Sequence, residues 1–194
     1  MIAIPSRGTC LNLMRQMEMP PHIRGHCLMV AQIALFLARL LNGNGIRLDL
    51  QLVEAAALLH DIAKERSLCT GERHDQLGAA MLVEFGYPSV AAIVGDHVSL
   101  DASHLKGPIT ESLLVNYADK RVKHDRIVTL ADRFDDLLDR YARTLEHRLS
   151  LLQKLHLYLA LERKIFDRLS ISPSGKEVME LSPDKSPPME ETKY

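Results

Sequence analysis

His26, His60, Asp61, His74, His97 and Asp119 are the residues of this chain whose types and spacing could do chemistry, because imidazoles and carboxylates hold transition metals without help from thiolates. A single histidine is ordinarily a surface or hydrogen-bonded residue, and nine in one chain need not mean more than that. Their placement is what matters. His26 opens the most apolar helical stretch, and the doublet His60-Asp61 interrupts an otherwise apolar helical face, where unpartnered polar groups are costly. A metal ion would satisfy them. Neighbouring positions on a helix diverge by about 100°, so His60 and Asp61 cannot point the same way, but both can reach ions at the helix edge. Asp119 adds a second carboxylate inside another amphipathic helix, and His74 and His97 stand at the ends of intervening ones. Such a nitrogen and oxygen set suits Mn, Fe, Co, Ni or Zn and does not choose among them.

The elements that must carry these residues are helices. His26 to Leu41 is almost wholly apolar with few β-branched residues, the pattern of a helix surrounded by others. Asp49 is placed to cap a helix from Leu50 to about Lys64, with Leu52, Ala55, Ala56 and Leu59 facing inward. Further helices are expected from Asp75 to Phe85 and from Pro88 to His97, with Gly86 and Pro88 as stop and restart. Thr110 caps the helix carrying Asp119, and Thr129 with Asp132 resembles a capping box before Leu130, Phe134, Leu137, Leu138 and Tyr141. A long C-terminal helix, 145–169, carries a stripe of Leu145, Leu149, Leu152, Leu155 and Leu159. That stripe is expected to pack on its own domain, with a homodimer contact as the alternative. Residues 171–194, with Pro173, Pro183, Pro187 and Pro188 among Ser, Lys and Glu, read as a disordered tail.

Composition narrows the function classes. The 194 residues suit one domain, here 1–170; 46% are hydrophobic and 5% aromatic with no Trp, so the core must be aliphatic. With 24 basic against 25 acidic side chains, the net charge of -1 argues against an extended nucleic-acid or membrane surface. Cys10, Cys27 and Cys69 form no C-x-x-C pair, which fits a reducing, cytoplasmic setting, and no secretory leader or membrane span is expected. Phosphate-loop, dinucleotide, H-E-x-x-H and G-x-S-x-G motifs are absent from the sequence.

His26, His60-Asp61 and Asp119 resemble the H…HD…D signature of the HD-domain phosphohydrolase superfamily, over about residues 22–142. Val30 and Ala31 follow His26 at the family's spacing, and Ala56-Ala57-Leu58-Leu59-His60-Asp61-Ile62-Ala63-Lys64 is similar to its apolar run ending in HD and a lysine. Ala63 stands where glycine is frequent. His74 and His97 make the pattern similar to that of the dinuclear HD-type bacterial diadenosine tetraphosphate hydrolases. The resemblance implies an all-α bundle of about six to seven helices and two divalent metal ions. His26, His60, Asp61 and Asp119 would hold one ion and Asp61, His74 and His97 the other. Gly86-Tyr87-Pro88 spells a tripeptide of HD-type cyclic-dinucleotide phosphodiesterases, but it lacks the neighbouring His-His-Glu and reads as a helix stop.

The activity so implied is hydrolysis of a phosphoester or phosphoanhydride bond in a nucleotide or other small phosphorylated metabolite. Two ions roughly 3.5–4 Å apart would share a hydroxide that attacks phosphorus. Asp61, Lys64 and Arg121 are the expected catalytic residues, and Lys64, Lys120 and Arg121 the expected phosphate contacts. His104 is a candidate loop contact, His124, His147 and His156 read as surface residues, and His22 has no assigned role. Two alternatives share the ligand pattern: an HD-fold mixed-valence di-iron oxygenase, and a non-catalytic nucleotide-binding module acting through a partner.

Overall fold

The computed structural model describes residues 3–182. The bundle is organised around α2 (Pro21–Gly43), which enters on two prolines and buries Ile23, Cys27, Val30, Ala31, Ala34, Leu37, Ala38 and Leu41 along its length. By length and apolar content α2 would pass as a membrane span, but it lies inside the bundle, packed between α3 (Leu50–Leu59) and α7 (Glu111–Lys120). Asp49 and Thr110 cap α3 and α7 by accepting from Leu52 N and Leu113 N, as their sequences predict. The fold is the expected all-α bundle.

α5 (His74–Glu84) and α6 (Pro88–Asp96) form a tight helical hairpin. Gly86 joins them in the left-handed region at φ +85°, and Tyr87 N donates to Leu82 O, a helix stop followed by an initiating proline. A Cβ on Gly78 would come within 3.2 Å of Val94 and 3.4 Å of Ile62, so the missing side chain is what lets α5 close on α6 and on the turn after α3.

The structure departs from expectation in four places. First, α3 ends at Leu59 rather than near Lys64: His60 to Ala63 turn, and a separate short helix, α4 (Lys64–Thr70), begins. A further unforeseen helix, α1 (Arg7–Gln16), packs on α3 and is tied to it by an Arg7–Glu54 ion pair of 2.5 Å. Second, the basic run that follows Asp119, Lys120-Arg121-Val122-Lys123-His124-Asp125-Arg126, which by composition alone could be a solvated helix end, forms a hairpin, β1 (Val122–Lys123) and β2 (Arg126–Ile127), turning through His124 at φ +58°. Third, α9 (Leu145–Phe166), which follows α8 (Leu130–Tyr141), buries Tyr158, Leu161, Ile165 and Phe166 rather than the expected leucine stripe. Leu145, Leu149 and Leu159 of the proposed stripe stay exposed, because the face that meets α7 and α8 is rotated from it.

Fourth, the tail does not begin at 171. Ile171 and Leu181 pack on the core, and α10 (Lys176–Met179) buries Val178 completely; residues 183–194 lie outside the described residues. The segment is held by Arg121, the largest fully buried side chain. Its Nε donates to Val128 O (2.7 Å), Nη1 to the Tyr117 hydroxyl (2.5 Å) and Glu162 (3.3 Å), and Nη2 to Pro173 O (2.8 Å). One guanidinium thus joins α7, the exit of the hairpin, α9 and the C-terminal segment. Replacing Arg121 by Ala removes the cation paired with Glu162 and the donor to Val128 O and Pro173 O, and should cost about 3 kcal/mol or more, seen as a fall in Tm of roughly 10 °C in a domain of this size. A Tm within a degree of the parent would show that the staple carries no stability.

Candidate metal centre

The same device positions two histidines at two helix ends. His60 is the C-cap of α3 and His97 the C-cap of α6, where the last carbonyls of a helix lack intrahelical partners. His60 Nδ1 donates back to Ala57 O (2.8 Å) and His97 Nδ1 to Val94 O (2.6 Å). Each bond fixes the ring and leaves Nε2 as the unprotonated nitrogen. His26, in the second turn of α2, is held likewise from outside its helix, donating from Nδ1 to the His124 carbonyl (3.0 Å) at the hairpin turn. Backbone carbonyls on Nδ1 with Nε2 turned inward is the arrangement by which metal-ligating histidines are oriented.

The inward nitrogens converge on two carboxylates. Asp119 Oδ1 lies 3.0 Å from His26 Nε2 and 3.7 Å from His60 Nε2. Asp61 Oδ2 lies 3.6 Å from His60 Nε2, while its Oδ1 faces His74 Nε2 (3.3 Å) and His97 Nε2 (3.8 Å). His74 and His97 approach Nε2 to Nε2 at 3.2 Å. The four rings form a row, His26, His60, His97, His74, with successive centroids 5.1–5.3 Å apart. With the protons on Nδ1, these contacts set lone pair against lone pair. A cation between them turns repulsion into coordination. His60 Nε2 states the case most sharply: it is buried and has no hydrogen-bond partner, a costly condition that an ion would relieve. His26, His60 and Asp119 form one such group and His60, Asp61 and His97 another, so the residues fit a divalent metal.

Protonation agrees with that fit. Burial lowers the affinity of His60, His74 and His97 for a proton, His97 down to about 4, despite the opposing pull of the nearby aspartates. For the carboxylates burial acts upward but is outweighed by adjacent cations: Lys64 holds Asp61 well below its usual range, and Lys120 does so for Asp119. Neutral imidazoles facing ionised carboxylates are the ligand forms. Lys64 Nζ, half exposed, lies 3.0 and 3.2 Å from the two oxygens of Asp61, and Lys120 Nζ pairs with Asp119 Oδ2.

His26, Asp61, His74, His97 and Asp119 line one open cavity of about 600 Å³ with Lys64 and Lys120, while His60 lies fully buried beneath them. Arg121 is not among them: directed into the staple on the far side of α7, it is out of reach of a substrate phosphate, contrary to the catalytic and binding roles expected for it. Residues not assigned to the site also line the cavity, namely His22, Lys123, His124, Arg133 and Arg140, beside Leu68, Leu137 and Tyr141. The spacing 133, 137, 140, 141 is legible as one face of α8, on which Leu137 and Tyr141 stand beside the two arginines. His104 instead bonds within its own loop, to Asp101.

A family model described as "HD domain" matches residues 23–137, and the chain belongs to the HD domain family, generally one of metal-dependent hydrolases. Over 129 residues the chain is 30% identical to "Uncharacterized protein MJ0778" of Methanocaldococcus jannaschii, covering 62% of this chain and 75% of that protein. No solved structure gives a significant match. Neither match bears on the diadenosine tetraphosphate hydrolases in particular.

The pH dependence of stability follows from the histidines. His97 in the folded chain resists protonation down to about 4, whereas an unfolded imidazole protonates near 6.5. Between those values the unfolded state binds more protons, so stability is fully present above about 6.5 and is lost as pH falls through that window. The depressed aspartates act in the same direction at still lower pH. In chelator-treated protein Tm should drop by roughly 5 °C or more between pH 7 and 4.5; a flat or rising Tm would contradict the buried neutral imidazoles.

Proposed function

We propose that the protein is a phosphohydrolase acting on a nucleotide or another small organic phosphate through two divalent ions. The observation that carries this reading is the inward set of four Nε2 atoms around two ionised carboxylates, at the floor of a cavity with cationic walls. Asp119, His26 and His60 would hold one ion, and His74 and His97 the other. Asp61 would serve both, since its two oxygens already face the two groups. Bound there, the ions supply Lewis acidity toward phosphoryl oxygens and lower the pKa of a water. No Ser or Cys nucleophile is then required.

The chain's own residues supply the rest. Lys64 is half exposed at the cavity wall and can turn from Asp61 to a phosphoryl oxygen, offsetting charge that grows as the bond breaks. Lys120 is a positioning residue: its ammonium stays on Asp119 Oδ2 and so directs Oδ1 toward His26 and His60. The exposed Leu68 and Tyr141 at the rim favour a substrate with an organic group over inorganic phosphate alone. The cationic wall favours phosphate over the oxygenase alternative.

The test is chelation followed by addition of Mn, Fe, Co, Ni or Zn, with phosphate release read over a panel of nucleotides and phosphate esters. At least one metal should restore release, and Asp61→Ala should abolish it together with bound metal. His74→Ala and His97→Ala should each lower the metal content from about two ions to about one per chain. No release with any metal would refute the hydrolase reading. One ion in the parent, unchanged in both histidine variants, would leave a mononuclear site.

A further inference from the structure

Lys123, Arg133 and Arg140 take no part in holding the proposed ions, yet all three line the same cavity. They come from β1 and from one face of α8 and converge on a single carboxylate. Asp136 Oδ1 accepts from Lys123 Nζ (2.9 Å) and Arg140 Nε (3.1 Å), and its Oδ2 lies 3.3 Å from Arg133 Nη1. Burial alone would raise the Asp136 pKa, but Lys123 and the two arginines hold it below its usual range, so the carboxylate is ionised. Three cations around one anion leave this cluster with a surplus of two positive charges on a concave wall. A structural ion pair needs one cation.

The surplus donors are also unfinished hydrogen-bonding groups. Arg133 is mostly buried and its Nε has no partner. Arg140 Nη2 meets only the ring nitrogen of His124, at 3.3 Å. An unmatched guanidinium donor at a buried position is costly, and planar forks of this kind match phosphate oxygens. Low-dielectric walls around the cavity strengthen the attraction.

We propose that Lys123, Arg133 and Arg140 form a second anion subsite, so that the substrate carries a further phosphoryl group beyond the one that is cleaved. The substrate class is then an organic diphosphate, polyphosphate or bisphosphate. A monophosphate would occupy the metal floor and leave the α8 wall unmatched. This rests on the phosphohydrolase reading for what is cleaved, whereas anion binding by the wall stands apart from it.

The test uses the full-length protein, with and without manganese, and the variants Arg133→Gln and Arg140→Gln. Arg140 is half exposed, so its variant should keep the parent's Tm even if Arg133→Gln does not. Calorimetric titration compares methylenediphosphonate with inorganic phosphate. The parent should bind the diphosphonate more tightly, and each substitution should weaken that binding by about tenfold, the loss expected for one charged hydrogen bond. In turnover, the ratio of kcat/KM for ADP to that for p-nitrophenyl phosphate should fall by a similar factor. Diphosphonate binding equal in parent and Arg140→Gln, or an unchanged ratio of kcat/KM, would overturn the subsite. If no metal supports phosphate release but both variants still lose diphosphonate binding, the hydrolase reading fails and the subsite stands.

Discussion

The hydrogen bonds from histidine Nδ1 to backbone carbonyls are the constraint on which the rest of the site depends. At the ends of α3 and α6 a carbonyl left over by the helix, Ala57 O or Val94 O, accepts from the histidine three residues later. That bond satisfies the helix terminus and selects the ring nitrogen that faces inward. His26 obtains the same restraint from the hairpin turn at His124. Three lone pairs are thereby aimed at two carboxylates by backbone geometry, which side-chain packing alone would hold less rigidly.

Such an arrangement is expensive in an otherwise aliphatic core. His60 is fully buried, and Asp61 and Asp119 are nearly so, each carboxylate disfavouring the other's ionisation. Lys64 and Lys120 offset this, one lysine to each aspartate: Lys64 opens α4 just after the turn that presents Asp61, and Lys120 ends α7 beside Asp119. The surrounding bundle provides rigidity: α2 is packed between α3 and α7, and the close approach at Gly78 sets the α5–α6 hairpin against the His60–Ala63 turn. The four elements that present histidines are thus locked to one another.

Much of this was legible from residues that are costly anywhere else. His60 and Asp61 at the end of an alanine and leucine run, and Asp119 within an apolar helix, are hard to explain without a ligand, and the caps at Asp49, Thr110 and Thr129 form as their side chains predict. The basic run after Asp119 was not legible, because composition cannot distinguish a helix end from a two-residue hairpin. The turn at His124 sends Lys123 to the cavity and leaves Arg121 behind α7. Nor could the proline-rich composition after Ser170 reveal Val178, a single apolar residue whose burial depends on the distant Arg121 holding Pro173 O. The second failure concerns a contact between residues 52 apart in sequence, which local pattern does not carry.

Side-chain nitrogen spectroscopy reads the central claim directly. Long-range proton–nitrogen correlation spectra of the chelator-treated protein near pH 7.5 report which ring nitrogen of each histidine carries the proton. His26, His60 and His97 should all be protonated on Nδ1, and added Zn should shift their Nε2 signals, and that of His74, while His147 and His156 stay unchanged. Protonation of His60 and His97 on Nε2, or Nε2 signals that do not respond to Zn, would contradict the account.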